Sequence, residues 1–489
     1  MSCKALRGQD GRYGYAEVHR ADGKSERSGM KFWWLLFILN LPLLQEVTRK
    51  YLVHSDLVFF GADLLVLGTA LMIGLQGKLN LKAVPFLFWM LSALFISLTA
   101  LTHVLNGNHI GLYGIGLRAT FLPVVYLLIS ARYVSAGETS SERLLLCVTC
   151  WILIIGTVAL LQVILGKNHP INSVWGTTAL GVGDFATKEK AVLIPGMFRP
   201  ASIFTHTGKF GQVIFTLVLF RWCFLLFSQV KRSTLSYALM LFDLVVIFVS
   251  GQRAALMFLV LAMIIVALVY MRQHGAKVRN LLIPVAIVPA GLLGAWIAKP
   301  ALVTAVYERF ASVINAVPSR LEGNLWLPIK TMLDSYLFTG EGLGYFTFGS
   351  RIFGGVQVFD AIKMQGLGES SLIRLSGEVG LTAAIMIVVA CLAIVARGFR
   401  VCGMYVGSSI GSGAVYFSVW MLCLMLWSNT ADVFANSIVT TIGSALGGAC
   451  LGRAGVRGFL PEPGTKVLNQ VQTSGIMMGK YKHLGRANF

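Results

Sequence analysis

The side chains in this sequence best suited to chemistry are arginines and carboxylates placed where apolar runs begin. Arg199 stands in Arg199-Pro200-Ala201-Ser202-Ile203-Phe204-Thr205-His206, just ahead of one run, and Arg253 in Ser250-Gly251-Gln252-Arg253 between two others. A guanidinium is planar, always charged and forked, a shape that suits a diphosphate. Taken singly, each arginine is equally well read as an interfacial anchor whose long stem carries the charge to water. Arg118 falls inside an apolar run, where a partner or a water-filled cavity is expected. The stretch from Gly368 to Gly380 holds Glu369, Arg374 and Glu378. Arg374 precedes Glu378 by four residues, so a structural ion pair is the plain expectation for those two. Glu369 has no such partner nearby in the chain. His206 and Lys209 are further polar groups beside Arg199, and a single histidine there is more often hydrogen-bonded structure than catalyst.

Several familiar machineries are absent. There is no H-E-x-x-H metal helix and no G-x-x-x-x-G-K-[ST] phosphate loop. The turn Gly340-Glu341-Gly342-Leu343-Gly344 is not followed by a Rossmann pattern and makes no dinucleotide site. Without a nucleotide cradle an ATP-driven pump is not expected, and no metal or cofactor is called for.

The elements that must position these residues are transmembrane helices. The chain is 56% hydrophobic and only 13% charged over 489 residues, with a mean hydropathy of +0.73, about half the charge of a soluble domain. Its net charge of +20 is spread in small basic groups between apolar runs, the pattern of membrane topology and not a nucleic-acid footprint. The runs read roughly as 32–45, 57–75, 83–102, 110–130, 144–166, 201–221, 235–250, 254–271, 281–298, 371–396, 411–431 and 433–452. Pro42 makes the first the weakest, and the pair around Gly251 reads either as two helices or as one bent re-entrant hairpin.

Alternate connections carry the basic residues, among them Lys78 and Lys82, Arg132 and Arg143, Lys231 and Arg232, and Arg397 and Arg400. The positive-inside rule then places both termini in the cytoplasm. The expected fold is all-α: a polytopic membrane protein with about twelve transmembrane helices. Its parts are a cytoplasmic tail (1–30), helices one to nine (31–298) with a periplasmic loop at 167–200, a large periplasmic loop (299–370), helices ten to twelve (371–452) and a second cytoplasmic tail (453–489). Connections this long usually carry function. None of the eight cysteines falls in a segment placed outside, so no disulfide framework is expected.

At these motifs the chain resembles the O-antigen ligase and polymerase (Wzy-like) family of membrane glycosyltransferases, chiefly from Arg199 to Gly380. The matching elements are Arg199 to Phe204, Ser250-Gly251-Gln252-Arg253-Ala254-Ala255, Arg320 (less well Arg309) early in the large loop, the G-x-G-x-G-x-F element Gly340 to Phe346, and the closing Leu375-x-x-Glu378-x-Gly380. One departure is informative. The family's histidine position falls on Glu369, and no histidine lies between His274 and His483. That argues against a ligase and for a polymerase of exopolysaccharide or O-antigen units.

The resemblance implies a bacterial inner-membrane enzyme, metal-independent and without a cofactor, working on the periplasmic side. The donor would be an oligosaccharide on undecaprenyl diphosphate and the acceptor another lipid-linked repeat unit. Arg199, Arg253 and Arg320 would hold the leaving diphosphate, Glu369 would serve the acceptor hydroxyl, and Arg118, His206, Lys209, Arg374 and Glu378 would support them. Membrane lipid, a chain-length regulator and export machinery are the partners implied; nucleic acid is not. The alternatives are an O-antigen ligase, a flippase or exporter of the same lipid-linked sugar, and a scaffold in a secretion complex. A transporter would show charges along a cavity through both halves of the membrane.

Overall fold

A computed structural model describes residues 25–53, 56–77, 79, 81–133, 138–166, 169–172, 192–194, 197–198, 200–227, 234–274, 322, 326, 329–330, 333–334, 336–347, 353, 370–406, 408–428 and 437–456. The expected ninth run, 281–298, lies outside these residues, as do most of both long loops and of both tails. Arg199, Arg320 and Glu369 are also outside them.

Among the described residues there are twelve α-helices: α1 (Ser25–Tyr51), α2 (Asp56–Leu75), α3 (Phe86–Leu105), α4 (Ile110–Tyr133), α5 (Glu138–Leu165), α6 (Thr207–Phe227), α7 (Thr234–Val249), α8 (Arg253–His274), α9 (Ser371–Val379), α10 (Leu381–Met404), α11 (Ser409–Trp427) and α12 (Ser437–Val456). A short antiparallel hairpin, β1 (Val192–Ile194) with β2 (Met197–Phe198), is the one departure from all-helical structure seen there. Seven helices (α3, α4, α5, α6, α8, α10 and α11) are long and apolar enough to cross a membrane. The protein is a polytopic helical membrane protein. Its backbone polar groups are satisfied within each helix, which is what a hydrocarbon solvent demands.

Two expected runs are corrected. The run 371–396 is not one helix: Gly380, at φ 85°, ends α9 and starts α10. A side chain there would press on the Phe338 carbonyl, and Leu381 N–H donates to Tyr336 O at 2.8 Å. The run 201–221 starts late, because Pro200 to His206 form an irregular segment, buried from Pro200 to Thr205, before α6. The pair around Gly251 is two helices, α7 and α8, turned by Gly251 at φ 61°.

At the centre stands α6, buried at every position from Phe210 to Phe227 and packed by α5, α7, α8, α11 and α12. The closest packing is α12 on α4. A side chain at Gly448 would collide with the Leu127 carbonyl, and one at Gly447 with the Phe417 ring. Small residues let helices approach where lipid gives no hydrophobic drive.

Connections meet in two sets. At one end, Lys50 of α1 meets the segment before α6, and Asn106 between α3 and α4 donates to Gly340 O at 2.9 Å. Ser428 after α11 accepts there from Ser371 N–H at 2.9 Å. At the opposite end, Gln273 of α8 donates to Cys402 of α10 at 2.7 Å.

Candidate functional site

Two polar assemblies occupy the first of these ends. The first is built on the last turns of α1. One oxygen of the buried Glu46 carboxylate accepts from Lys209 Nζ at 2.7 Å and lies 3.7 Å from Arg49. The other accepts from Thr205 N–H at 3.3 Å and Thr205 Oγ1 at 3.1 Å. Lys50, with no exposed surface, donates to the Ser202 carbonyl.

Ser202 is itself forced. It is the one described non-glycine residue at positive φ (54°), and Gln162 of α5 holds it from both sides. Ser202 N–H donates to Gln162 Oε1 at 2.7 Å, and Gln162 Nε2 donates to Ser202 O at 2.9 Å. A left-handed serine costs about 1–3 kcal/mol and persists where its surroundings over-determine it. The chain directly after Arg199 is therefore clamped by α1 and α5.

Among the described residues, the Glu46 carboxylate thus stands with the basic side chains of Arg49, Lys50 and Lys209 at a largely buried place. The N-termini of α6 and α8 lie at the same end, and Gln252 packs against Gly211 of α6. Arg253 is the half-buried first residue of α8. Helix N-termini carry partial positive charge and add to the field. His206 accepts from Gly208 N–H at 2.9 Å through Nδ1, shaping the turn into α6.

The second assembly joins the glycine-rich turn to α9. Glu341 and Gly342 N–H donate to the carbonyls of Gly377 and Glu378 at 2.9 and 2.8 Å, satisfying the last carbonyls of α9. A side chain at Gly340 would collide with the Glu378 carbonyl, and one at Gly344 with that of Leu112. Glu378 is fully buried; its Oε1 accepts from Arg374 at 3.1 Å and from Phe346 N–H at 3.1 Å. The ion pair expected from the i, i+4 spacing is present, and it also fastens the turn. Tyr336 donates to Glu341 at 3.2 Å; burial and that neighbouring carboxylate hold its hydroxyl protonated above the usual range.

The remaining sequence candidate, Arg118, pairs with Asp63 of α2 inside the helical layer. A second interior pair, Arg221 with Asp243 at 2.6 Å, was not expected, nor was the Trp222 indole that donates to Asp243 at 2.7 Å. Each charge lies alone in its own apolar run, so hydropathy passes over it. Glu46, Arg49 and Lys50 were also missed, although their spacing at the end of the first run was a signal. Beside α9 lies an apolar cavity of about 320 Å³ between α3, α4, α9, α10, α11 and α12.

No protein-family model matches this sequence, and no curated protein matches it either. The structure brings Arg253, His206 and Lys209 to the end where Arg374 and Glu378 also lie, and leaves Arg118 within the layer on Asp63.

Proposed function

We propose that this protein is a polysaccharide polymerase of about twelve spans in a bacterial inner membrane, with both termini cytoplasmic. It would transfer a glycan from undecaprenyl diphosphate to a second lipid-linked repeat unit on the periplasmic side. One observation supports this reading above the rest: the gathering of Arg49, Lys50 and Lys209 around the segment that follows Arg199. A lipid diphosphate brings negative charge to such a group of basic side chains and carries a hydrocarbon chain that the surrounding layer accommodates.

In the reaction the acceptor hydroxyl oxygen bonds to the anomeric carbon as the bond from that carbon to the diphosphate oxygen breaks. The hydroxyl proton passes to the Glu369 carboxylate, and undecaprenyl diphosphate departs with its electron pair. Lys209, Arg253 and, by the motif resemblance, Arg199 and Arg320 stabilise the charge growing on the leaving group. The transporter alternative needs charges along a passage, whereas Asp63–Arg118 and Arg221–Asp243 are closed on one another.

The test is chain elongation in liposomes supplied with lipid-linked repeat units. Arg253→Ala and Glu369→Gln should each lower it by about 10²-fold or more. Arg253→Lys should also lose activity if the bidentate fork matters. Undiminished elongation by the first two variants would end the transferase assignment.

A further inference from the structure

The cavity beside α9 lies apart from the cationic assembly, which is built by α1, α5 and α6. Its walls are almost wholly apolar, with Phe88, Phe121, Ile387, Leu392 and Met421 representative of them. It follows α11 from Ser428 to Phe417, eleven residues or about 16 Å of helix. That is close to half of a hydrocarbon core about 30 Å thick, so the slot has the depth of one leaflet. Its volume of about 320 Å³ is that of a small ligand pocket and suits a chain segment.

At one rim Ser371 and Arg374 of α9 meet Ser428, and the other polar residues of the lining are Thr120 of α4 and Thr440 and Ser444 of α12. That rim is fixed: Ser370 Oγ and Ser371 N–H both donate to Ser428 O at 2.9 Å. It faces the same end as the cationic assembly. In sequence Glu369 directly precedes Ser370.

We propose that this slot takes the polyprenyl chain of a second lipid-linked substrate, the acceptor, separately from the donor whose diphosphate lies in the cationic assembly. This rests on the transferase reading. Hydrocarbon walls one leaflet deep call for a chain, and a rim of serines beside Arg374 calls for a polar head. The residue assigned to the acceptor hydroxyl lies two positions from that rim in the chain. A polymerase must hold two lipid substrates at once, and the two assemblies are built from different helices.

The test uses the full chain in liposomes with a polyprenyl phosphate bearing a diazirine along its chain. Photolysis should label the segments 387–394 and 417–426, and unlabelled polyprenyl phosphate should displace the label while phosphatidylglycerol does not. Arg253→Ala should abolish transfer and leave this label in place. Ala119→Trp or Cys391→Phe, which fill the slot from different helices, should remove the label and raise the KM for acceptor about tenfold with kcat kept. Equal displacement by phosphatidylglycerol, or label confined to the outer faces of α2 and α3, would overturn the proposal. Label retained in a protein that makes no polymer would uphold a polyprenyl-chain site and overturn the transferase reading alone.

Discussion

At the scale of residues, Glu46 is the group on which the cationic end depends. It is 5% exposed and meets Lys209, Arg49 and Thr205 through its two oxygens. Replacing it by glutamine keeps the shape and takes the carboxylate charge away from Lys209 and Arg49. Removing one partner from a buried ion pair costs about 3–5 kcal/mol. Glu46→Gln should therefore lower the thermal unfolding midpoint in detergent markedly and reduce elongation with it. A loss below about 1 kcal/mol, the value of an exposed pair, would show that the carboxylate is not the anchor. The pairing of Arg374 with Glu378 was readable from their spacing because both partners share one helix. Glu46 and Lys209 are 163 residues apart, and no local pattern links them.

At the scale of elements, two kinds of glycine do different work. Gly380 and Gly344 sit at positive φ against neighbouring backbone, so they set where α9 ends and how the glycine-rich turn docks. Gly447 and Gly448 are helical and serve close approach of α12 to α11 and α4. Gly448→Val should overpack the α12–α4 contact and cost about 1–3 kcal/mol. The check is its unfolding midpoint beside Gly403→Val, a glycine with open space around it, which should shift far less. Gly340→Ala should instead push the turn off the Glu378 carbonyl, lowering elongation with a smaller change in overall stability. Equal activity of that variant and the parent protein would show the turn has no part in the site.

At the scale of the whole molecule, the two sets of connections should face opposite sides of the bilayer. In a cysteine-free background, a cysteine at Gly107 should react with a membrane-impermeant maleimide in intact cells, and one at Gln76 only after lysis. Reaction of both from one side would break the alternation on which the proposed topology of about twelve spans rests.

The positions of most helices were set by the sequence alone, because runs of apolar residues report how much of the chain must leave water. The identity of the interior helix was not. In the most apolar stretch of α6 the mean hydropathy is 1.9 and every residue is buried, while in that of α3 it is 1.8 and 28% of the residues are buried. Lipid tails are as apolar as a protein core, so composition does not tell a helix facing lipid from one facing protein. Only the tertiary packing decided that α6 is central, that Gly380 breaks a continuous apolar run, and that Glu46 gathers Arg49 and Lys209 beside the chain clamped at Ser202. Those outcomes depend on contacts between residues far apart in the sequence.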